Sequence, residues 1–416
     1  MDRPVWYRRS PSISLPQWVA TQSFTFLGNA VVLATLPLVA VHVSRSPSVV
    51  AGVGFAATLP QLVVTLPAGL MVDRWERRRV MLFGGVLAVI TLLVLAWALG
   101  RGMDTLAILD GAAFVVGAGQ VLIAAAAAAI TPQIAGADSL TRANSWIFLA
   151  QHAFGSLAGP PLAGVLIAIA LNAPLWAAAV AYACGLAVLA RSSQRFVVER
   201  PGMVHPWRDV FEGIRIVVHH IQLRTITIVT ATINLAVAAV LVVLVLFAVR
   251  PGPLGLSRPE YGVLLACFAL GGIVGATISE RVTRWVGRGR LLVIAVLALG
   301  AGMALPGLLA NAVVVGAGLA MAGVGGALYN VTTVSFRQRI IPSRQLGRAT
   351  AAYRLAALGA QPIGAALGGV AAAHFGLRET FIGAGILIVL TTVGLPLVSE
   401  TRLANAEHAA TTVCPG

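Results

Sequence analysis

The sequence predicts an all-α membrane protein of twelve transmembrane helices in two pseudo-symmetric six-helix bundles. Three observations carry the prediction: an apolar excess that a soluble surface could not hide, twelve apolar runs of spanning length, and a repeat relating the two halves. Of 416 residues, 58% are hydrophobic and 10% are Asp, Glu, Lys or Arg. Soluble domains run at about 45–50% apolar and about 25% charged, so too few charges remain here to cover a water-facing surface. The mean hydropathy of +0.90 agrees.

A helix needs roughly 20 apolar residues to cross the hydrocarbon core. Runs of that kind cover 17–43, 49–72, 80–99, 105–129, 143–170, 173–190, 224–249, 260–280, 291–309, 312–336, 349–373 and 380–399. The first is too long for a signal-peptide core and lacks a small-residue cleavage site, so it counts as a span. The expected organisation is a tail (1–16), a first bundle (17–190), a linker (191–222), a second bundle (223–400) and a second tail (401–416).

All 29 basic residues are arginine, and the net charge is +15. In a soluble protein that balance would suggest nucleic acid. Here the arginines cluster between apolar runs, so the positive-inside rule accounts for them and no nucleic-acid partner is expected. With the N-terminus inside, 23 arginines fall on inner segments and five on outer loops: Arg45, Arg101, Arg250, Arg258 and Arg378. Arg354 lies within the eleventh run. That asymmetry puts both termini in the cytoplasm of a multi-pass protein of the bacterial inner membrane. Cys184, Cys267 and Cys414 are isolated, with no disulfide framework or CxxC spacing. No metal and no cofactor is expected.

The halves resemble each other at an offset near 206. Leu140-Thr-Arg142-Ala143 recurs as Leu346-Gly-Arg348-Ala349, and Gly69-x-x-x-Asp73 as the weaker Gly275-x-x-x-Ser279. Gly159-Pro160-x-x-Ala163-Gly164 has a looser partner in Pro362-x-Gly364-x-x-x-Gly368-Gly369. A duplicated six-span unit predicts a site between the halves near the midplane. Within the linker, Phe211, Ile214, Val217 and Val218 fall on one face of a helix that also carries Arg208, Glu212 and Arg215, which predicts an amphipathic connector at the inner membrane surface.

These residues resemble the major facilitator superfamily. The loop after the second span reads Gly69-Leu-Met-Val-Asp73-Arg74-Trp75-Glu76-Arg77-Arg78-Arg79, similar to that family's G-x-x-x-D-R-x-G-R-R/K signature, with Glu76 in place of the second glycine. The run DRWERRRV, with Ser139–Asn144 and Ser257–Gly262, looks like the branch of enterobactin exporters and macrolide efflux proteins. The fifth span resembles the antiporter signature G-x8-G-x3-GP-x2-GG at Gly155, Gly159, Pro160 and Gly164, while Ala163 and Trp146 stand where the signature has glycine. The resemblance implies alternating access driven by proton antiport. It also implies that the second and eleventh spans meet across the halves. Gly69, Asp73, Arg74, Arg77 and Arg78 would then act as a conformational switch, with Asp73 latching the outward-open state against the helix N-terminus near Ala349. A carboxylate at such a terminus is favoured by the helix dipole in any case. The alternative is that the arginines serve topology alone.

Glycines at 155 and 159 lie four apart on one face, and the eighth span offers Gly271, Gly272 and Gly275. Small residues at that spacing allow close helix approach, either as sliding faces between the halves or as static packing. Ionisable residues inside spans are costly and point to function. His152, near the midplane of the fifth span, and Asp110, near the outer end of the fourth, are the proton-coupling candidates; a His bonded to a neighbour and an interfacial Asp are the alternatives. Gln22, Asn29, Gln61, Gln120, Gln151, Asn234, Asn330 and Gln361 form the candidate cavity set. Amides among apolar neighbours suit a bulky amphipathic compound, or they join helices to one another.

The expected function is a secondary transporter, a monomer in the lipid bilayer, exporting a drug, siderophore or other small-molecule metabolite on the proton gradient. A lipid or lysolipid flippase and a non-transporting sensor are the alternatives. No Walker loop, GxSxG elbow or HExxH helix is present, which argues against an enzyme.

Overall fold

The computed structural model describes residues 13–103, 105–192, 206–341 and 343–398, together with Phe196. The expectations for most of both tails and for 193–195 and 197–205 of the linker lie outside the described residues. The described chain is helical almost throughout. Its helices are α1 (Leu15–Val43), α2 (Pro47–Val63), α3 (Thr65–Arg74), α4 (Arg77–Gly100), α5 (Leu106–Ala150), α6 (Gly159–Ile169) and α7 (Ala173–Arg191). They continue as α8 (Pro206–His219), α9 (Ile221–Ala248), α10 (Arg258–Val286), α11 (Arg288–Leu308), α12 (Ala312–Ile340), α13 (Ser343–Phe375) and α14 (Leu377–Leu390). A π-helical segment, Gln151–Ala158, joins α5 to α6, and a 3₁₀ segment, Thr391–Val398, follows α14. Among the described residues, eleven stretches are long and apolar enough to cross a membrane, and the bent pair α2–α3, taken as one span, makes twelve.

Three departures from the expected spans have local causes. The second span breaks by 45° between α2 and α3. Pro67 cannot donate to the Val63 carbonyl and its ring crowds that carbonyl, so the ladder fails one residue later, at Val64. The fourth and fifth spans are not separated by a loop: α5 runs helically through 130–142, where Pro132 and Gly136 do not outweigh the surrounding helix formers. The fifth span then widens into the π-segment. Pro160 and Pro161 supply no N–H for the carbonyls of Ser156 and Leu157. The Gly159 N–H turns back to the Phe154 carbonyl, five residues away, which is the π pattern.

The chain forms two compact units, Met1–Thr35 with Val63–Gly202, and Leu36–Leu62 with Met203–Gly416. The far end of α1 and α2 up to Leu62 therefore group with the second half of the sequence rather than the first. The packing explains it. Gly54 of α2 sits against Val242 of α9, with Ala365 of α13 beside it, and Gly369 of α13 takes Ala51 and the Pro47 carbonyl.

Inside the first unit, Gly84 of α4 and Gly119 of α5 face each other, each set against the other's carbonyl. A Cβ on either would stand 2.8 or 2.6 Å from that oxygen. The Trp18 Nε1–H of α1 donates to Thr131 Oγ1 of α5 at 3.1 Å in a buried contact. In the second unit Gly364 and Gly368 of α13 lie on Leu235 and Ala239 of α9, as Gly159 of α6 lies on Ala30 of α1 in the first. The sequence repeat is thus a repeat of packing. Lipid gives helices no hydrophobic reason to associate, so close backbone approach and van der Waals contact hold them.

The linker helix α8 packs its Gly213 against the Arg348 carbonyl and Ala352 of α13. Glu212 Oε2 pairs with Arg348 Nη1 at 2.9 Å. Of the expected apolar face, Phe211, Ile214 and Val218 are exposed while Val217 is buried. The helix therefore rests on α13 with one edge and keeps an apolar edge available to lipid.

Candidate functional site

The arginine-rich loop joins α3 to α4, and its residues divide by role. Asp73 and Arg74 close α3 and are exposed, and a Cβ at Gly69 would meet nothing within 4 Å. Arg77 and Arg78, in contrast, reach inward within their own unit. Arg77 Nη1 donates to the Ala129 carbonyl of α5 at 3.0 Å. Arg78 donates from Nε to Leu189 O at 3.3 Å and from Nη2 to Ala190 O at 2.7 Å. These carbonyls lie in the last turn of α7, where the helix dipole also favours a cation, and the Leu189 carbonyl accepts the Ser192 N–H as well. Arg78 is therefore a brace between α4 and α7, beyond any role in topology. Glu76, where the family signature has glycine, stands at the N-cap position of α4 and pairs its side chain with Arg79 Nε at 2.8 Å. That pair is largely exposed and adds little.

The π-segment carries Gln151, His152 and Gly155. Gln151 is exposed and His152 half-buried. His152 Nδ1–H donates to the Phe148 carbonyl at 2.9 Å, and its ring lies 4.0 Å from that of Phe148. A carbonyl oxygen can only accept, so this bond places a hydrogen on Nδ1. The π turn also shifts Gly155 and Gly159 from the face a regular α-helix would give them. A Cβ on Gly155 would stand 3.5 Å from the Phe26 Cβ, and Gly159 lies on Ala30, both in α1. Pro160 starts α6, and Gly164 is buried with Ala163 and Ile167.

The close contacts of the glycines on the fifth and eighth spans lie within single units. Gly271 and Gly275 of α10 fit against Ala320 and Val324 of α12 within the second unit. Both stripes pack helix pairs inside their own units, Gly159 on Ala30 of α1 and Gly271 on Ala320 of α12.

Asp110 lies in the second turn of α5, half-buried, and its Oδ1 is buried without a hydrogen-bond partner. No hydrogen bond or ion pair joins it to His152. The amide set is divided. Asn234 Nδ2 donates to the Ala357 carbonyl at 2.9 Å and ties α9 to α13, so its donor is spent on packing. Gln22 is buried in α1. Asn29, Gln61, Gln120 and Gln361 are half-buried and Asn330 is exposed. The Gln120 Nε2 is buried and has no protein partner.

One polar cluster escaped the sequence reading. Arg337, counted there among inner-loop arginines, is in α12 and only 9% exposed. Its guanidinium carbon lies 3.3 Å from the ring centre of Tyr353 in α13. The Tyr353 hydroxyl donates to Thr230 Oγ1 of α9 at 3.1 Å, and Thr230 Oγ1 is 2.9 Å from the Tyr329 hydroxyl. Tyr329 in turn donates to the Ile226 carbonyl at 3.2 Å. The cluster binds α9, α12 and α13 through one cation and three hydroxyls. Arg354 is exposed and within electrostatic reach of Arg337. The signal was available: Tyr329, Thr333 and Arg337 are spaced by four and share one helical face.

Twelve spans, an arginine-rich hairpin after the second and a duplicated helix packing define a membrane transporter of the major facilitator class. Residues 13–413 match the family described as Transmembrane secretion effector, and the chain belongs to that family. It is 28% identical over 406 residues to the multidrug efflux pump Tap of Mycolicibacterium fortuitum, covering 91% of this chain and 94% of that one. It is 27% identical over 407 residues to the uncharacterized MFS-type transporter y4rN of Sinorhizobium fredii, covering 94% and 97%. Among solved structures, a POT family transporter in complex with 5-aminolevulinic acid superposes with a TM-score of 0.74 at 14% identity, covering 94% of this chain and 96% of the other. That likeness is one of fold.

Proposed function

We propose that this transporter exports bulky amphipathic small molecules from the bacterial cytoplasm across the inner membrane by alternating access, driven by proton antiport. The observation that carries the reading is the similarity to a multidrug efflux pump along nearly the whole of both chains. The chemistry of the spans supports it. The polar groups there are mostly amides and hydroxyls among apolar side chains, which suit compounds that are largely apolar with a few polar groups. In this reading Asp73, exposed at the end of α3, is the latch, and Arg77 and Arg78 keep its loop rigid by bracing α4 on α5 and α7. His152 carries the proton on Nε2, with its Nδ1–H held by Phe148, and Asp110 loads protons from the outside.

The test is transport by the purified chain in proteoliposomes, with ethidium and a panel of amphipathic antibiotics as probes. Export predicts that at least one probe is moved uphill, and that expression raises resistance to it in an efflux-deficient host. Movement of a fluorescent phospholipid between leaflets, with no movement of any probe, would replace the reading with a lipid flippase.

A further inference from the structure

Five arginines lie on the side that the charge distribution assigns to the outside, and three of them converge. Arg45 follows α1, Arg250 follows α9 and Arg258 opens α10; with His42 at the end of α1 they line one cleft of about 190 Å³. All four belong to the same compact unit. The cleft is far larger than the ~30 Å³ a water molecule occupies in the liquid. Its walls include Leu38, Val41 and Val249, with no carboxylate among the described lining residues.

The arginines are held in place by backbone. Arg45 Nη2 donates to the Arg250 carbonyl at 2.5 Å. Arg250 Nε donates to the Gly255 carbonyl at 2.7 Å, inside the loop that Arg250 itself begins. Each of these two guanidiniums has five N–H groups and cannot lose its proton at any physiological pH, so one bond apiece leaves both forks with donors to spare. The Glu260 carboxylate is within electrostatic reach of Arg250 and offsets part of its charge, but its hydrogen bonds go to Ser257. Its Oε2 accepts from Ser257 N and Ser257 Oγ, each at 2.7 Å, in the capping box of α10. Like charges drawn together with donors in excess describe a receptor for an oxyanion. Guanidinium forks match phosphate in shape as well as charge.

We infer that this cleft is a phosphate-binding site, formed where the ends of α1 and α9 meet the start of α10. Those helix ends lie at the depth of lipid headgroups in a twelve-span protein. The ligand chemistry is a phosphate ester or free phosphate, and two sources supply it: the phosphodiester of an anionic phospholipid, or inorganic phosphate from the medium. The site is distinct from the α3–α4 loop and the π-segment, and it stands whether or not the export reading does.

The full chain is reconstituted in nanodiscs of phosphatidylcholine alone, of phosphatidylcholine with phosphatidylglycerol, and of phosphatidylcholine with added inorganic phosphate. Lipid retention is read by native mass spectrometry and phosphate binding by the thermal midpoint. Retained phosphatidylglycerol assigns the lipid source; a midpoint raised by phosphate in the first disc type assigns the free ion. Arg45→Gln with Arg250→Gln should weaken whichever is observed by about thirtyfold, at about fivefold per arginine near a charged surface. Arg101→Gln, an outer arginine stacked on Trp97 instead, should leave it unchanged. If the double variant does not fold, Arg45→Gln alone carries the test with the fivefold loss. Wild-type protein that binds neither probe, or variants that bind as the wild type does, would overturn the proposal.

Discussion

Replacing Gly159 by alanine tests the packing at the start of α6. A Cβ there would overlap the Ala30 methyl of α1 and stand 3.2 Å from the Phe154 carbonyl. Carbon atoms rest about 3.5–4.0 Å apart, so α6 and α1 must part by about 1 Å or more, at the point where the π-segment ends. Overpacking of this kind costs about 1–3 kcal/mol. The assay is the thermal midpoint in nanodiscs alongside transport of ethidium, for Gly159→Ala, Ala30→Gly and the double variant. Gly159→Ala should lower the midpoint, and adding Ala30→Gly should restore most of it, giving a favourable coupling of about 0.5–3 kcal/mol. Gly69→Ala is the control: it lies inside α3 and a Cβ there meets nothing within 4 Å, so its midpoint should hold or rise slightly, since alanine favours helix over glycine. A Gly159→Ala protein as stable as the wild type, or one that Ala30→Gly does not rescue, would refute the claim that this glycine exists for close approach.

Arg78→Ala should lower stability by about 1–2 kcal/mol, because two α7 carbonyls lose a half-buried charged donor; Arg79→Ala, which breaks only a surface pair, should change it by less than about 0.5 kcal/mol. Equal losses in the two thermal midpoints would contradict the brace. Tyr353→Phe keeps the ring under Arg337 but drops the bond to Thr230 and should cost about 1 kcal/mol. Tyr353→Leu also removes the cation–π contact and should cost about 1–2 kcal/mol more; a chemical denaturation series ranks the two. His220, which opens α9 outside the spans, has its pKa pushed below the ordinary value by burial. The unfolded chain then binds a proton that the folded chain refuses. Stability is therefore full above the ordinary pKa of about 6.5 and falls as pH drops below it toward the folded pKa. His220→Gln should flatten that acid-side loss in a stability–pH profile, and an unchanged profile would show that another group causes it.

The spans were legible because their physics is one-dimensional. Twenty apolar residues register in a window, and the arginines between them register as charge. The duplication was legible at Gly159 and Gly364 because close approach leaves only small residues acceptable on both faces. The breaks were not. Pro67 stops the ladder at Val64 while Pro132 leaves α5 helical, and the difference depends on whether neighbouring groups can take up the freed carbonyl. The π turn needed the pair Pro160–Pro161 together with the glycine at 159, a combination that hydropathy does not weigh. For the candidate site, sequence picked out the loop residues but could not separate Arg78, which reaches α7, from Arg79, which stays at the surface. Arg337 was hidden for the same reason. An arginine near a span end reads as topology until a tyrosine from another helix is found beneath it.

The central claim is export coupled to protons, and the most direct measurement is uphill transport in inside-out vesicles under an imposed pH gradient, with ethidium as the probe. The account predicts accumulation that follows the gradient, collapses with a protonophore, and is weakened in His152→Ala and in Asp110→Asn more than downhill exchange is. Accumulation that persists undiminished in the double variant, or that ignores the pH gradient and follows sodium, would contradict it.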